Sequence, residues 1–152
     1  NIVHPNGCEH RGGQAAYRAW AAALADDAAF PPGMPLPQLF ERLMCVIDAL
    51  TLVHAGRGCA ATWMRELATA FDGAGKTALA ATARKAAGFF DGEHALVDEI
   101  TSLPGYREPG EARALALSEP AFRKEVVTRI ARAGELDRAA AGAIQDLLES
   151  WH

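Results

Sequence analysis

The sequence has little positive charge, few β-branched residues and no long apolar run that is free of charge. Its 15 lysines and arginines are outnumbered by 19 aspartates and glutamates, which gives a net charge of -4 over 152 residues. Nucleic acids and anionic membranes attract basic surfaces, so we predict neither as a partner. A transmembrane helix needs about 20 consecutive and predominantly apolar residues, and we therefore predict no membrane span.

Cysteine is also scarce, with three residues at Cys8, Cys45 and Cys59. An odd number, with one of them inside a predicted helix, argues against a disulfide framework and for a reducing compartment. We therefore expect a cytoplasmic protein. The chain begins with Asn1 and not with methionine, so secretion after removal of a leader is the alternative.

The sequence is rich in alanine, and 50% of its residues are hydrophobic and 22% charged, as in globular proteins. Alanine favours helices and lets them approach closely. No segment alternates polar and apolar residues with the period of two that a half-buried strand requires. The pattern predicts an all-α, single-domain bundle of about seven helices over residues 1–152, with an irregular N-terminal arm at 1–12 and a candidate subdomain boundary near 104–110.

The longest apolar run predicts a helix over residues 36–55, and we expect this helix to be the buried centre of the bundle. Its apolar residues recur at helical spacing on one broad face. Cys45, Ala49 and Leu52 interrupt the opposite, polar face. A helix with two mixed faces is expected to have neighbours on both sides.

Glycines are predicted to separate the helices. A helix often ends where a glycine adopts the left-handed conformation. We therefore predict breaks in the helical structure at Gly56 and Gly58, at Gly92 and at Gly134. The segments that follow these glycines also carry apolar residues at helical spacing, so each is predicted to be a separate helix.

Two groups of residues offer ligands for a metal ion. The N-terminal arm contains His4, Cys8 and His10, and zinc accepts imidazole and thiolate ligands. We favour the alternative that this is a polar arm without a metal. His94 and Asp98 are four residues apart and face each other on a helix, where they either hold a metal or form a surface hydrogen bond. We favour the hydrogen bond and predict no cofactor.

Residues 54–60, HAGRGCA, resemble the H-x-x-[KR]-G-x-[AS] motif around the phosphorylated histidine of histidine-phosphotransfer domains. These domains are four-helix bundles. The resemblance implies that His54 accepts the phosphoryl group, that Arg57 helps to hold it, and that the small Gly58 leaves room for a receiver partner. The alternative is a histidine packed in the core, because His54 continues the apolar face of its helix.

Three functions are compatible with these features, and the one we favour is a non-catalytic protein–protein interaction module. Such a module would act as a regulator, adaptor, inhibitor or effector. Its docking surface would include Trp63, Met64 or Trp151 where the core leaves them exposed. The partner would be another protein or a second copy of this chain.

The second function is the binding of a small molecule or cofactor in a pocket between helices, in one form with enzymatic activity. The residues that we expect to line such a pocket lie along and just after the 36–55 helix: Asp48, His54, Arg57, Gly58 and Cys59. The third function is histidine phosphotransfer through His54, which requires that the side chain of His54 reaches solvent.

Overall fold

The computed structural model describes residues 12–151, and within this range the chain forms six α-helices and no β-strand. The helices are α1 (Gly13–Ala25), α2 (Leu36–Gly73), α3 (Thr77–Thr101), α4 (Pro104–Arg107), α5 (Gly110–Ser118) and α6 (Pro120–Ser150). A single turn of 3-10 helix, Asp27–Ala29, follows α1. The predicted all-α bundle is confirmed.

Three of the helices are longer than predicted, because each continues through a glycine at which we predicted a break. The segments 36–55 and 59–71 form one helix, α2, which is 38 residues long. In the same way, α3 continues past Gly92 and α6 continues past Gly134. The predicted breaks at these glycines are wrong, and so is the predicted end of the 36–55 helix.

Two of the glycines inside the long helices, Gly92 and Gly134, allow close contacts between helices. A Cβ atom built on Gly134 would lie 2.7 Å from Cβ of Tyr17, and one built on Gly92 would lie 2.9 Å from Cδ1 of Leu136. Non-bonded carbon atoms do not approach each other so closely in a packed interior. A glycine that ends a helix and a glycine that lets two helices touch look alike in the sequence, because only the packing distinguishes them.

The central helix of the bundle is α3 and not the segment 36–55. Helix α3 packs against α2 on one side and α6 on the other, while α1 lies against α6. Helix α2 therefore stands at the edge of this layer. Its inner face is buried through Leu39, Leu43, Val46 and Leu50, but Cys45 and Leu52 on its outer face are exposed. This segment has neighbours besides α3, because α2 also contacts α5 and Ala49 and Leu52 line a cavity together with α1. The outer face is nevertheless not buried as a whole.

The core changes in character along the long helices. At one end it is built from large aliphatic side chains, among them Leu39, Leu50, Ile100 and Ile130. In the middle it consists mainly of alanines: Ala61, Ala86, Ala87, Ala140 and Ala143, together with Met64 and Phe90. These small side chains let α2, α3 and α6 approach closely, so that polar groups on neighbouring helices come within hydrogen-bonding distance.

One helix in the described range, α2, is long and apolar enough to cross a membrane, by length and composition only. The core helices of soluble proteins pass the same test, but they are mostly buried, whereas only 17% of the relevant window of α2 is buried inside the structure. The continuous α2 thus carries a longer apolar stretch than the segment 36–55 predicted. It remains weak support for a membrane span.

Candidate functional site

A buried network of charged and polar side chains joins four helices at Glu93. The side chain of Glu93 is fully buried, on α3. Its Oε2 accepts a hydrogen bond of 2.8 Å from the hydroxyl of Tyr17 on α1 and another of 2.8 Å from Nε of Arg57 on α2. Arg57 also donates from Nη2 to Oδ1 of Asp137 on α6, at 2.6 Å. The network therefore ties α1, α2 and α6 to the central helix.

Burial dominates the electrostatics of this network. The pKa of the Glu93 carboxyl is raised above its ordinary value because burial disfavours the charged form, and this effect outweighs the hydrogen bonds from Tyr17 and Arg57 that lower it. Burial also raises the pKa of the Tyr17 hydroxyl, and its hydrogen bond to Glu93 raises it further. The second carboxyl oxygen of Glu93, Oε1, has no hydrogen-bond partner among the described residues. Such a buried acceptor without a donor is rare in folded proteins.

A cavity of about 340 Å³ lies between α1 and α2 beside this network. Its walls are mainly apolar, and its lining includes Tyr17, Trp20, Leu52, Val53 and Arg57. Of the five residues that we predicted for a pocket, Arg57 is the one that lines this cavity. Asp48 and Cys59 are exposed on α2 and do not contribute to it.

A second cluster brings together two histidines and an aspartate from α2 and α3. Nε2 of His54 lies 3.1 Å from Oδ1 of Asp98, and Nδ1 of His94 lies 3.5 Å from Oδ2 of the same carboxylate. The two imidazole rings stack, with centroids 3.7 Å apart and an angle of 34° between their planes. The predicted proximity of His94 and Asp98 is confirmed, whereas the third member, His54, comes from another helix.

Gly58 makes this cluster sterically feasible. A Cβ atom at position 58 would lie 3.3 Å from Cδ2 and 3.6 Å from Nε2 of His94. The absence of a side chain therefore lets the His94 ring lie against α2, next to His54. The cluster opens onto a cavity of about 280 Å³, whose lining includes His54, Asp98, Thr51, Thr101 and Tyr106.

The geometry around His54 differs from what the phosphotransfer motif implies. The side chain of His54 is 42% exposed, so it reaches solvent as the motif requires. However, Arg57 is directed away from it, towards Glu93 and Asp137. The group nearest to Nε2 is the carboxylate of Asp98, which would repel a phosphoryl group, and Gly58 accommodates His94.

The three predicted interaction residues lie in different environments. Trp63 is 59% exposed and Trp151 is 48% exposed. The ring of Trp151 still packs edge-on against Phe71, with centroids 5.1 Å apart. Met64 is buried in the alanine-rich core, so it is not available to a partner. Helix geometry places successive residues 100° apart, and Met64 therefore points inward where Trp63 points outward.

Trp63 belongs to an exposed apolar stripe on the outer face of α2, which we call the α2 stripe. The stripe consists of Cys45, Ala49, Leu52, Gly56, Cys59 and Trp63. All are exposed except Ala49, which is half-buried. The two cysteines are free thiols. The remaining predicted metal ligands, His4, Cys8 and His10, lie outside the described residues.

Comparison with protein-family models, with curated proteins and with solved structures gives no significant match to this chain. The geometry of the described residues is therefore what supports the function proposed below.

Proposed function

We propose that this protein is a helical protein–protein interaction module that docks through the α2 stripe. The observation that carries the proposal is the exposure of two large apolar side chains, Leu52 and Trp63, on one face of a single helix. Leu52 is 74% exposed and Trp63 is 59% exposed. A contiguous exposed apolar surface on a folded protein marks a site of association, because its contact with water is unfavourable.

The spacing of the α2 stripe matches the seam of a coiled coil. Its members follow one another at intervals of four, three, four, three and four residues, from position 45 to position 63. This is the a/d pattern of a heptad repeat, in which two helices pack knobs into holes. None of the six seam positions is charged, so the stripe supports packing against another helix along about 27 Å of α2.

The partner that fits this seam best is a second copy of the chain in antiparallel orientation. In an antiparallel pair centred near residue 54, Trp63 faces Cys45 of the second copy, and Leu52 faces its Gly56. Ala49 faces Cys59. Each large side chain meets a small one, so the layers fill without overpacking. A parallel pair would place Trp63 against Trp63 and Gly56 against Gly56, which would leave crowded and empty layers.

The charges at the two ends of the seam favour the same orientation. Arg42 and Glu66 are both exposed and occupy the next seam positions beyond the apolar stripe. In the antiparallel pair, Arg42 faces Glu66 of the second copy at both ends. In a parallel pair, like charges would face each other and oppose association.

A substitution at Gly56 tests the docking surface without disturbing the fold. A Cβ atom on Gly56 would meet no atom within 4 Å, and the same holds for Gly142 on α6. The chain therefore tolerates Gly56→Leu as a monomer, but the added side chain would collide with Leu52 of the second copy. We expect sedimentation equilibrium to show a dimer for the wild type and for the control Gly142→Leu, and a folded monomer for Gly56→Leu.

Cysteine cross-linking tests the orientation. Ala49→Cys would place a thiol opposite Cys59 of the second copy, in a geometry that a disulfide can bridge. In a Cys8→Ser background, which removes the thiol outside the α2 stripe, we expect oxidation to cross-link the Ala49→Cys variant into dimers and to leave the chain with Ala49 uncross-linked. Cross-linking of the wild type through Cys45 or Cys59 would indicate a parallel pair. A wild-type monomer that binds phosphatidylcholine vesicles would show that a lipid surface covers the stripe, and would contradict the proposal.

The cavity between α1 and α2 favours the binding of a small molecule as the second candidate function. It borders the α2 stripe at Ala49 and Leu52 and is bounded at one end by Tyr17 and Arg57. Its mainly apolar wall with a few polar groups is typical of ligand sites. Phosphotransfer through His54 has no comparable support from the geometry and stays a prediction of the sequence motif.

A further inference from the structure

We propose that His54, His94 and Asp98 form a binding site for a divalent transition-metal ion of the zinc type. One ligand atom from each of the three side chains lies within 4.8 Å of the other two. Zinc binds imidazole nitrogen and carboxylate oxygen at about 2.0–2.2 Å. Two ligands at the corners of a tetrahedron around such an ion are about 3.3 Å apart. Nε2 of His54 lies 3.1 Å from Oδ1 of Asp98 and Nδ1 of His94 lies 3.5 Å from Oδ2, so each imidazole is at about that distance from one oxygen of the carboxylate.

The type of ligand selects the type of metal. Two imidazoles and one carboxylate suit zinc and similar borderline ions, whereas calcium and magnesium prefer oxygen ligands throughout. Neither free cysteine of the described chain belongs to the cluster. We therefore expect a site of mixed nitrogen and oxygen ligands without thiolate.

The bundle holds the three ligands on two rigid helices. His54 projects from α2, while His94 and Asp98 occupy adjacent turns of α3. The two rings are stacked with 34° between their planes, and each presents one nitrogen to the carboxylate of Asp98. Gly58 allows this arrangement, since a side chain there would press on the ring of His94. To coordinate one ion through both imidazoles, the stacked rings would have to turn apart on these helices.

Three protein ligands leave a coordination position open on a tetrahedral ion. His54 and Asp98 both line the cavity of about 280 Å³, so this position faces the cavity. The hydroxyl-bearing residues Thr51, Thr101 and Tyr106 also line it. Water or a small ligand with an oxygen donor could reach the metal there.

The metal site is separate from the docking surface. His54 and the α2 stripe lie on different sides of α2, because His54 is rotated by about 160° from Leu52. The proposal therefore does not depend on dimerisation. Gly56→Leu is expected to leave metal binding unchanged, so the two proposals can fail independently.

Calorimetric titration of the full chain with zinc chloride tests the site. We expect one equivalent of zinc to bind per chain, and each of His54→Ala, His94→Ala and Asp98→Ala to weaken the affinity by more than about tenfold. All three side chains are partly exposed, so these variants are expected to keep the helical circular dichroism of the wild type. The combined variant Cys8→Ser/His10→Ala is the matched control, because it removes other candidate ligands, and we expect it to bind like the wild type.

Cobalt provides a second readout of the ligand set. Bound Co²⁺ should show the visible absorption of a site with nitrogen and oxygen ligands, without a thiolate charge-transfer band. Weak or absent zinc binding by the wild type would overturn the proposal. It would equally be overturned if the cluster variants kept full affinity while Cys8→Ser/His10→Ala lost it.

Discussion

Replacement of Arg57 by methionine would remove the only cation among the described residues that contacts the buried carboxylate of Glu93. The side chain of Glu93 is 0% exposed, and Arg57 supplies one of the two hydrogen bonds to its Oε2. Methionine keeps an apolar stem of similar length, so the change removes mainly charge and hydrogen bonds. An ionised carboxylate left without a counter-charge in the interior destabilises a protein by roughly 3–5 kcal/mol.

Protonation of Glu93 limits this loss and makes it depend on pH. The ordinary pKa of the group is 4.5, and each pH unit above the ordinary pKa adds about 1.4 kcal/mol to the free energy of keeping the group neutral. The part of the loss that comes from Glu93 therefore cannot exceed about 3 kcal/mol at pH 7 and about 1 kcal/mol at pH 5. A carboxyl whose pKa is raised by folding stabilises the folded state below its ordinary pKa, and this contribution is lost as the pH rises through the raised value. The charge and hydrogen bond of Arg57 lower the pKa of Glu93, so their removal raises this pKa further above its wild-type value. We therefore expect the destabilisation by Arg57→Met to grow from pH 5 to pH 7.

Urea denaturation followed by circular dichroism, repeated at several pH values between 5 and 7, measures this effect. Arg65→Met is the matched control on the same helix, because Arg65 pairs with Asp91 at the surface, where both side chains are about half exposed. Exposed ion pairs contribute roughly 0–1 kcal/mol, so the control is expected to change stability little at any pH. The double variant Arg57→Met/Glu93→Gln should recover part of the loss at pH 7. A loss for Arg57→Met that does not change between pH 5 and pH 7 would refute the reasoning.

Two further predictions concern the packing of α6. Gly134→Ala is expected to destabilise the fold by about 1–3 kcal/mol, because its Cβ would overlap Tyr17. Gly142→Ala, in open space on the same helix, should stabilise the fold by about 0.5–1 kcal/mol. Urea denaturation measures both changes, and stabilisation by both variants would contradict the close contact of α1 and α6. Arg123 is buried and donates to the carbonyl oxygens of Leu24, Leu117 and Ser118. Arg123→Met leaves these buried acceptors without donors, at about 1–3 kcal/mol each. It should therefore lower the melting temperature far more than Arg129→Met, which affects ion pairs with exposed partners. Equal shifts of the melting temperature would show that water reaches these carbonyls.

The extent to which the sequence predicted the site differs from cluster to cluster. His94 and Asp98 were paired correctly because a helix brings residues four apart together, and this spacing is visible in the sequence. His54 is 44 residues from Asp98, and nothing in its local pattern indicates which helix it faces. Glu93 was missed altogether, since its partners Tyr17 and Arg57 are 76 and 36 residues away.

The sequence by itself determined that the chain is helical, because helix formation depends on alanine content and on apolar spacing over three or four residues, both of which are local. The sequence also determined which residues share the outer face of α2, because the heptad spacing places them on one side of the helix. Only the tertiary structure decided whether Gly92 and Gly134 end helices or admit a neighbour, and that α3 rather than α2 lies at the centre. The physical reason is that these outcomes depend on which helices pack together, and the packing is a property of surfaces that are distant in the sequence.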